Sequence, residues 1–512
     1  MNVTGLLPIL TILILSTTVD LHAQSLSAKV VDSTNGNPVP YATIILNKRG
    51  IITNDEGRFN FLLDETIKET DTLYISCIGY QSVARPINQF TEPAIYLSPK
   101  AIELREVIVS NKNYTADEII EFVADNLEKN YKNDLSKKRL FHRESNSSRW
   151  FKSDFKVTKS SIAVLNQQFL DSVIATVPKD NTVYNEIAGD LYGNNDTENQ
   201  KLNLLKASEL YDKSKELDFE KLEEKFNLIL KENVKDGSYF KIKSGILSFK
   251  VDADEVSELF EEEIDSTDVT ALNKELEEKK KSKEEEKENY AKWKRNKLAG
   301  IFNSLPTQKG TNLNVITKSR KYEFTLKEFT YLGNDAVYVV GFVPDGSADY
   351  QGKLYINADD FALLRIDFEN VKPVKKFNLL GLSSNKYLSK GTIIYSKENN
   401  GAYGLRYFES ETGTTIGLKR PLKIIEKNKI VKGRNKQNEL AGKMDFGFNY
   451  REKNQVVVFE SETISQSAFD AFTESNTVLP TYMPNYDPEF WKGFTIIEPN
   501  AAIKDFTSVA KD

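Results

Sequence analysis

With 512 residues, 39% of them hydrophobic and 28% charged, the chain is too long for a single core and has the composition of a multi-domain globular protein. Its 69 Lys and Arg against 75 Asp and Glu leave a net charge of −6 spread over both signs, which gives no electrostatic reason to expect nucleic acid. The single cysteine, Cys77, excludes an intramolecular disulfide, so the fold must hold by packing alone.

The apolar run Leu6 to Leu15 is shorter than the roughly 20 residues that cross a bilayer, but it suits the hydrophobic region of a signal peptide. Leu21-His22-Ala23 before Gln24 puts a small residue at the cut. Residues 1–23 are therefore expected to be a signal peptide and the mature chain to be exported. A lipid anchor would need a cysteine at that cut, and Cys77 lies elsewhere. Beyond residue 24 no apolar run reaches 18 residues and no closing aromatic barrel strand ends the chain, so no integral membrane span is expected.

From Leu26 to Val109 short alternating segments are separated by turn residues roughly every ten positions, the pattern of a β-sandwich. Strands are expected at Ala28 to Asp32, Tyr41 to Leu46, Arg58 to Leu62 and Leu73 to Ile78. Gly36 and Gly57 would supply the turns between them, Pro38 the strand entry, and Phe59, Ile75 and Ile78 the core. Asp32, Asp55 and Glu56 lack the dense spacing of a calcium loop and read as solvated turns.

In that order Val31-Asp32, Gly36, Pro38-Val39, Ala42, Ile44, Thr53, Gly57, Phe59, Leu73, Ile75-Ser76 and Ile78-Gly79-Tyr80 resemble the carboxypeptidase regulatory-like domain. The resemblance implies a transthyretin-like Greek-key sandwich of a kind common in bacterial envelope proteins and at the N-termini of TonB-dependent receptors. Ala101 to Val109 is similar to the stretch with which that domain ends before a following module.

Thr115 and Glu118 stand in capping-box spacing ahead of Ile119, Ile120, Phe122, Val123 and Leu127, which predicts a helix over 116–131. Trp150 to Val177 reads as strand, and Leu217 to Leu230 as helix through Leu222, Phe226, Ile229 and Leu230. Glu277 to Asn289 holds no apolar residue but mostly good helix formers, so an exposed helix is expected there. A cation site among Glu261, Glu262, Glu263 and Asp265 is a weaker reading than a solvated charged face.

Antiparallel strands are expected to dominate from Lys321 onward. Tyr350 to Arg365 reads as a hairpin turning at Asn357 to Asp360, Asn399-Asn400-Gly401 marks another, and Asn454-Gln455 reads as a turn between Met444 to Tyr450 and Val456 to Glu460. The first hairpin is similar to those of periplasmic lipoprotein-carrier half-barrels. It also resembles the soluble part of larger envelope proteins that carry the same N-terminal module, as do Tyr486 to Trp491 and Thr495 to Asn500 near the end. Phe490 and Trp491 are expected to pin that tail to the sheet and not to form a ligand platform.

The reading is a multi-domain protein, an all-β Greek-key sandwich followed by an α+β region with a large antiparallel sheet and amphipathic helices. Its parts are a signal peptide (1–23), the sandwich (24–110), a mixed helix and strand region (111–250), a charged helical segment (251–305), the antiparallel sheet (306–475) and an aromatic tail (476–512). A zinc peptidase needs at least two histidines with a glutamate, but only His142 remains after signal removal, and no nucleophile elbow or phosphate loop is present. No catalytic, cofactor or metal residue is therefore assigned and no cofactor is expected. The leading expectation is a non-enzymatic envelope binding or scaffold protein, periplasmic or peripheral to the outer membrane and linked to its transport machinery. Its partner would be an envelope protein, a glycan or a lipid. The alternatives are a half-barrel carrier of a lipid or other apolar ligand, and a hydrolase using two carboxylates. The sheet face carrying Leu354, Ile356, Leu364, Ile366 and Phe368 is expected to be covered completely by helices 116–131 and 217–230.

Overall fold

The computed structural model describes residues 24–90, 92–100, 114–215, 226, 228–229, 231–235, 237–252, 269–398, 400–428, 430, 435–474 and 477–509. The expected signal peptide, the segment Ala101 to Val109, the acidic group Glu261 to Asp265 and most of the helix expected over 217–230 lie outside these residues. Positions 226, 228–229 and 231–233 are helical.

Seven short strands build the N-terminal sandwich: β1 (Gln24–Asp32), β2 (Thr43–Leu46), β3 (Arg49–Ile52), β4 (Arg58–Leu63), β5 (Thr72–Ser76), β6 (Val83–Pro86) and β7 (Ala94–Leu97). One sheet has the order β4-β1-β7 and the other β3-β2-β5-β6. The alternation read from the sequence places Val30, Ile44, Phe59, Phe61 and Ile75 between them with almost no exposure. Gly36 and Gly57 turn with φ of +71° and +72°. At Gly57 a Cβ would also stand 2.6 Å from the Val30 carbonyl oxygen. Ile78, expected in this core, is only half-buried and lines a cavity facing the second sheet, because the chain turns at Gly79 before the strand can continue.

The second sheet has 14 strands. They are β8 (Ser136–Ser160), β9 (Asp180–Gly193), β10 (Gln200–Tyr211), β11 (Ser238–Ser244), β12 (Leu247–Asp252), β13 (Tyr322–Leu332), β14 (Asp335–Pro344), β15 (Tyr350–Asn357), β16 (Leu363–Asn370), β17 (Lys375–Leu379), β18 (Leu382–Lys397), β19 (Tyr403–Asn428), β20 (Lys436–Thr463) and β21 (Thr481–Met483). The order is β13-β14-β15-β16-β18-β19-β20-β8-β9-β10-β21, with β17 on the end of β18 and the β11–β12 hairpin on the end of β19. The antiparallel sheet expected over 306–475 thus also takes in strands from residues 136–252. Hairpins turn at Asn357, whose side chain accepts from the Asp359 amide at 2.8 Å, and at Gly401.

Two expectations fail here. Asn454-Gln455 is no turn: β20 runs unbroken through 28 residues, because both side chains find buried polar partners across the sheet. The stretch from Trp150 to Val177 is not all strand either. β8 ends at Ser160, and the Asn166 side chain caps a helix, α1 (Gln167–Thr176), by accepting from the Phe169 amide.

Strands β8, β19 and β20 have 25, 26 and 28 residues, far beyond the usual 3–10, which at strand rise corresponds to about 80–90 Å each. Glycine with a facing aromatic ring recurs along them: a Cβ on Gly442 would meet the Phe155 ring at 2.4 Å. At one end, here the base, the sheet has both faces covered. Beyond Thr412 in β19 and Glu452 in β20 the strands continue into a projecting end.

Two helices close one face of the base, called the helix face below. The first, αN (Ala116–Asp125), begins with the capping box read from the sequence: Thr115 Oγ1 accepts from the Glu118 amide and Glu118 accepts from the Thr115 amide. The second is αC (Val269–Asn303), in which the described side chains from Lys281 to Asn289 are exposed or half-buried, in line with the exposed helix expected there. From Ala291 it buries residues at helical spacing, namely Lys294, Leu298, Ile301 and Phe302. Leu354, Ile356 and Ile366 have no exposure beneath these helices. Leu364 is buried too, but Phe368 toward the end of β16 is only half-buried, so the complete cover expected of the five residues falls short at Phe368, with αC in the place expected of residues 217–230.

Candidate functional site

Between helices and sheet at the base, Leu298, Ile301 and Phe302 pack in one cluster with Leu354, Ile356 and Ile366. The cavity bounded by Tyr131, Lys138, Phe302, Tyr395 and Tyr403 has about 60 Å³, enough for a water or two and not for an acyl chain.

Beside it, ionisable groups are sealed between αC and the sheet. Lys294, 1% exposed, reaches Glu144 at 3.9 Å, and Lys297 pairs with both Glu144 and Glu452. Burial, only partly opposed by Glu144, lowers the Lys294 ammonium to a pKa of about 8. His142 lies next to them on β8, its Nε2 bonded to Asn454 Oδ1 at 3.0 Å. Burial first, and then the Lys294 charge, hold its imidazole near 3, so it is neutral at pH 7. The cluster has a base, an acid and a cation, but Lys294, Glu144 and His142 are all nearly without solvent contact. Its ion pairs join αC to β8 and β20. The sequence hid Lys294 because it stands on the apolar stripe of a helix otherwise crowded with lysines.

The opposite face of the base carries the sandwich. Val30, Ile44 and Ile75 share one apolar cluster with Tyr407, Val457, Phe459 and Trp491. Arg406 Nη1 donates to the Val458 and Phe459 carbonyls at 2.6 and 2.9 Å and reaches the Gly50 carbonyl of the sandwich at 3.4 Å. A cavity of about 220 Å³ between the layers is lined by Tyr41, Cys77, Ile78 and Arg365. Burial pushes the Cys77 thiol up to about 11, which leaves it unreactive at neutral pH.

Trp491 is buried against Phe141, with ring centroids 5.2 Å apart, and donates to Glu186. It pins the tail, as expected. Asp32 accepts from Thr34 and from the Tyr80 hydroxyl, and Glu56 accepts from the Ala501 amide, so both are occupied in turns and tail contacts. Asp55 accepts from Asn500. Among the described residues no group of three or more His, Cys, Asp or Glu side chains is placed to hold a metal ion.

The projecting end differs from everything at the base. On the sandwich side it presents charge, with Lys152 and Lys419 around Asp445 and Arg451 against Glu411. On the helix side, cross-strand neighbours form an apolar row: Leu379 opposite Leu382, Leu382 opposite Leu418, Leu418 opposite Phe446, and Ile416 opposite Phe448, which faces Trp150. Phe377, Leu379, Leu382 and Ile416 are 37–57% exposed. Apolar surface this continuous and this wet is the kind that receives a partner. No sequence window revealed it, since its members come from five strands.

The geometry defines a β-sandwich docked on a long-stranded α+β body with an open apolar end. The sandwich is a CarboxypepD_reg-like domain: residues 26–109 match that family model. No curated protein matches the chain. Among solved structures, a LolA superfamily protein from Nitrosomonas europaea is 8% identical, with 70% of this chain and 98% of that chain covered at a TM-score of 0.16, which does not establish a shared fold.

Proposed function

We propose that the chain is a non-catalytic binding protein of the bacterial cell envelope, exported with loss of residues 1–23 and working in the periplasm or at the outer membrane. The observation that supports this reading is the contrast between its ends. The ionisable groups that chemistry would need are sealed at the base, whereas the projecting end exposes a row of apolar side chains on one face of the sheet. The regulatory-like sandwich supports the envelope assignment. A carrier holding its ligand between helices and sheet is disfavoured, because helices already fill that space.

The test is a titration of the mature chain, residues 24–512, with the fluorescent apolar probe bis-ANS. Saturable binding is expected, weakened by Phe377→Ser, Leu382→Ser and Ile416→Ser together while the melting temperature holds. Hydrolysis of ester or glycoside substrates that Glu144→Gln abolishes would overturn the reading. Mature protein recovered from cells is expected to begin at Gln24.

A further inference from the structure

The projecting end is basic in a chain that is acidic. Segments 145–160, 238–252, 371–388, 411–428 and 436–452 hold 18 Lys or Arg against 7 Asp or Glu, a net of +11, while the whole chain is −6 and its remainder therefore −17. Because the five segments are scattered through the sequence, only the fold gathers this charge.

Two turns meet at its edge. Strand β18 pairs with β19 up to Leu418 and β11 pairs with it from Lys423 onward, so the β17–β18 and β11–β12 turns abut between them. Arg420 holds the joint: its Nε donates to Ser244 Oγ at 2.9 Å and its Nη2 to the Ser244 carbonyl at 2.6 Å, while its stem passes beside Gly381. From the joined turns Ile246, Leu247, Leu379, Leu380 and Leu382 stand out, with Ile246 81% and Leu379 57% exposed. Around them Lys243, Lys375, Lys376 and Lys386 make no ion pair among the described residues.

We infer that this edge docks the protein on an anionic lipid bilayer surface, the aliphatic turn tips entering the headgroup boundary while the lysines meet lipid phosphates. The inference rests on the proposed binding function and names its partner. Protein interfaces are depleted in lysine and enriched in Tyr, Trp and Arg, whereas the exposed groups of this edge are mainly Leu, Ile and Lys, with Phe249 and Phe377 beside them. Charge complementary to an anionic leaflet, coupled to shallow apolar anchors, is how a peripheral protein holds a membrane without spanning it. Among the described residues no helix is long and apolar enough to cross one.

The experiment is co-sedimentation of residues 24–512 with phosphatidylcholine vesicles, with and without phosphatidylglycerol. Binding is expected only with the anionic lipid, and salt should release it as the Debye length falls from about 10 Å at 0.1 M to about 3 Å at 1 M. Lys375→Glu, Lys376→Glu and Lys386→Glu together should lower partitioning about a hundredfold or more. Ile246→Ser, Leu379→Ser and Leu380→Ser together should lower it at unchanged melting temperature, since these side chains are exposed. Equal binding to both vesicle types, indifference to the charge reversals, or self-association through this edge would overturn the inference. Should vesicles fail while bis-ANS still binds, the binding function stands and the bilayer falls; should both fail, the binding function falls too.

Discussion

The indole N–H of Trp491 donates to Glu186 Oε2 at 2.7 Å, across 305 residues of chain. Glu186 also takes Arg143 Nε at 2.5 Å, and Arg143 Nη2 donates to the Ile497 carbonyl at 2.9 Å. A buried ion pair is thus satisfied by the very tail it holds in place. Trp491→Phe keeps an aromatic ring in the site but loses the hydrogen bond and part of the volume, and should cost about 1–3 kcal/mol. Trp491→Ala empties the site as well and should cost about 3–5 kcal/mol. Urea unfolding of the two variants measures both, and equal costs would assign the effect to the hydrogen bond alone.

His142 predicts a pH dependence. Its folded-state pKa near 3 lies below the ordinary value of 6.5, so the unfolded chain binds a proton more readily between those limits. Stability from this residue is complete above pH 6.5 and falls as the pH drops toward 3. His142→Gln, which can still donate to Asn454, should therefore lose less melting temperature between pH 7 and pH 4 than the parent chain. The difference should amount to a few kcal/mol. Parallel curves would mean that His142 keeps its proton affinity on folding.

Local signals in the sequence carried through into the fold. The Thr115 and Glu118 capping box, the Asn357 turn and the sandwich alternation depend on neighbours a few residues apart, and each is formed as the pattern predicts. What stayed hidden depends on partners far along the chain. Gln455 and Asn454 read as a turn because polar pairs usually mark one, yet Gln455 donates to Tyr407 and Glu409 on β19, and Asn454 meets His142 on β8. The length of β20 was invisible for the same reason. A net charge of −6 likewise conceals a basic end that exists only once five segments are brought together.

Close approach of glycine and ring along the long strands gives a third prediction. Gly442 sits under Phe155, and a Cβ there would also stand 2.9 Å from the Lys156 carbonyl oxygen. Gly442→Ala should cost about 1–3 kcal/mol, because the ring must leave its place on the sheet. Pairing it with Phe155→Leu should recover part of that loss. A double-mutant cycle by urea unfolding reads the coupling, and strict additivity would show that the ring and the glycine do not constrain each other.

The last prediction concerns Lys294 and Glu144, two nearly unexposed charges held 3.9 Å apart under αC. Glu144 Oε2 has no hydrogen-bond partner, so its compensation comes from the nearby ammonium groups of Lys294 and Lys297. Lys294→Met removes one cation and leaves the carboxylate with Lys297 as its one nearby charge and the Asn146 amide, which donates to Oε1 at 2.7 Å, and should cost about 3–5 kcal/mol. Adding Glu144→Gln removes the stranded charge, so the double variant should be more stable than the single one. The pH dependence separates this from simple packing. With the Lys294 pKa near 8 and the unfolded value near 10.4, stability in the parent chain should rise as pH increases through that interval. In Lys294→Met the share of this rise due to Lys294 should disappear, leaving that of Lys138, whose buried ammonium is also lowered to about 8. A double variant no more stable than Lys294→Met, or a rise that the substitution leaves undiminished, would show that the αC contact is held by its apolar stripe and not by the buried charges.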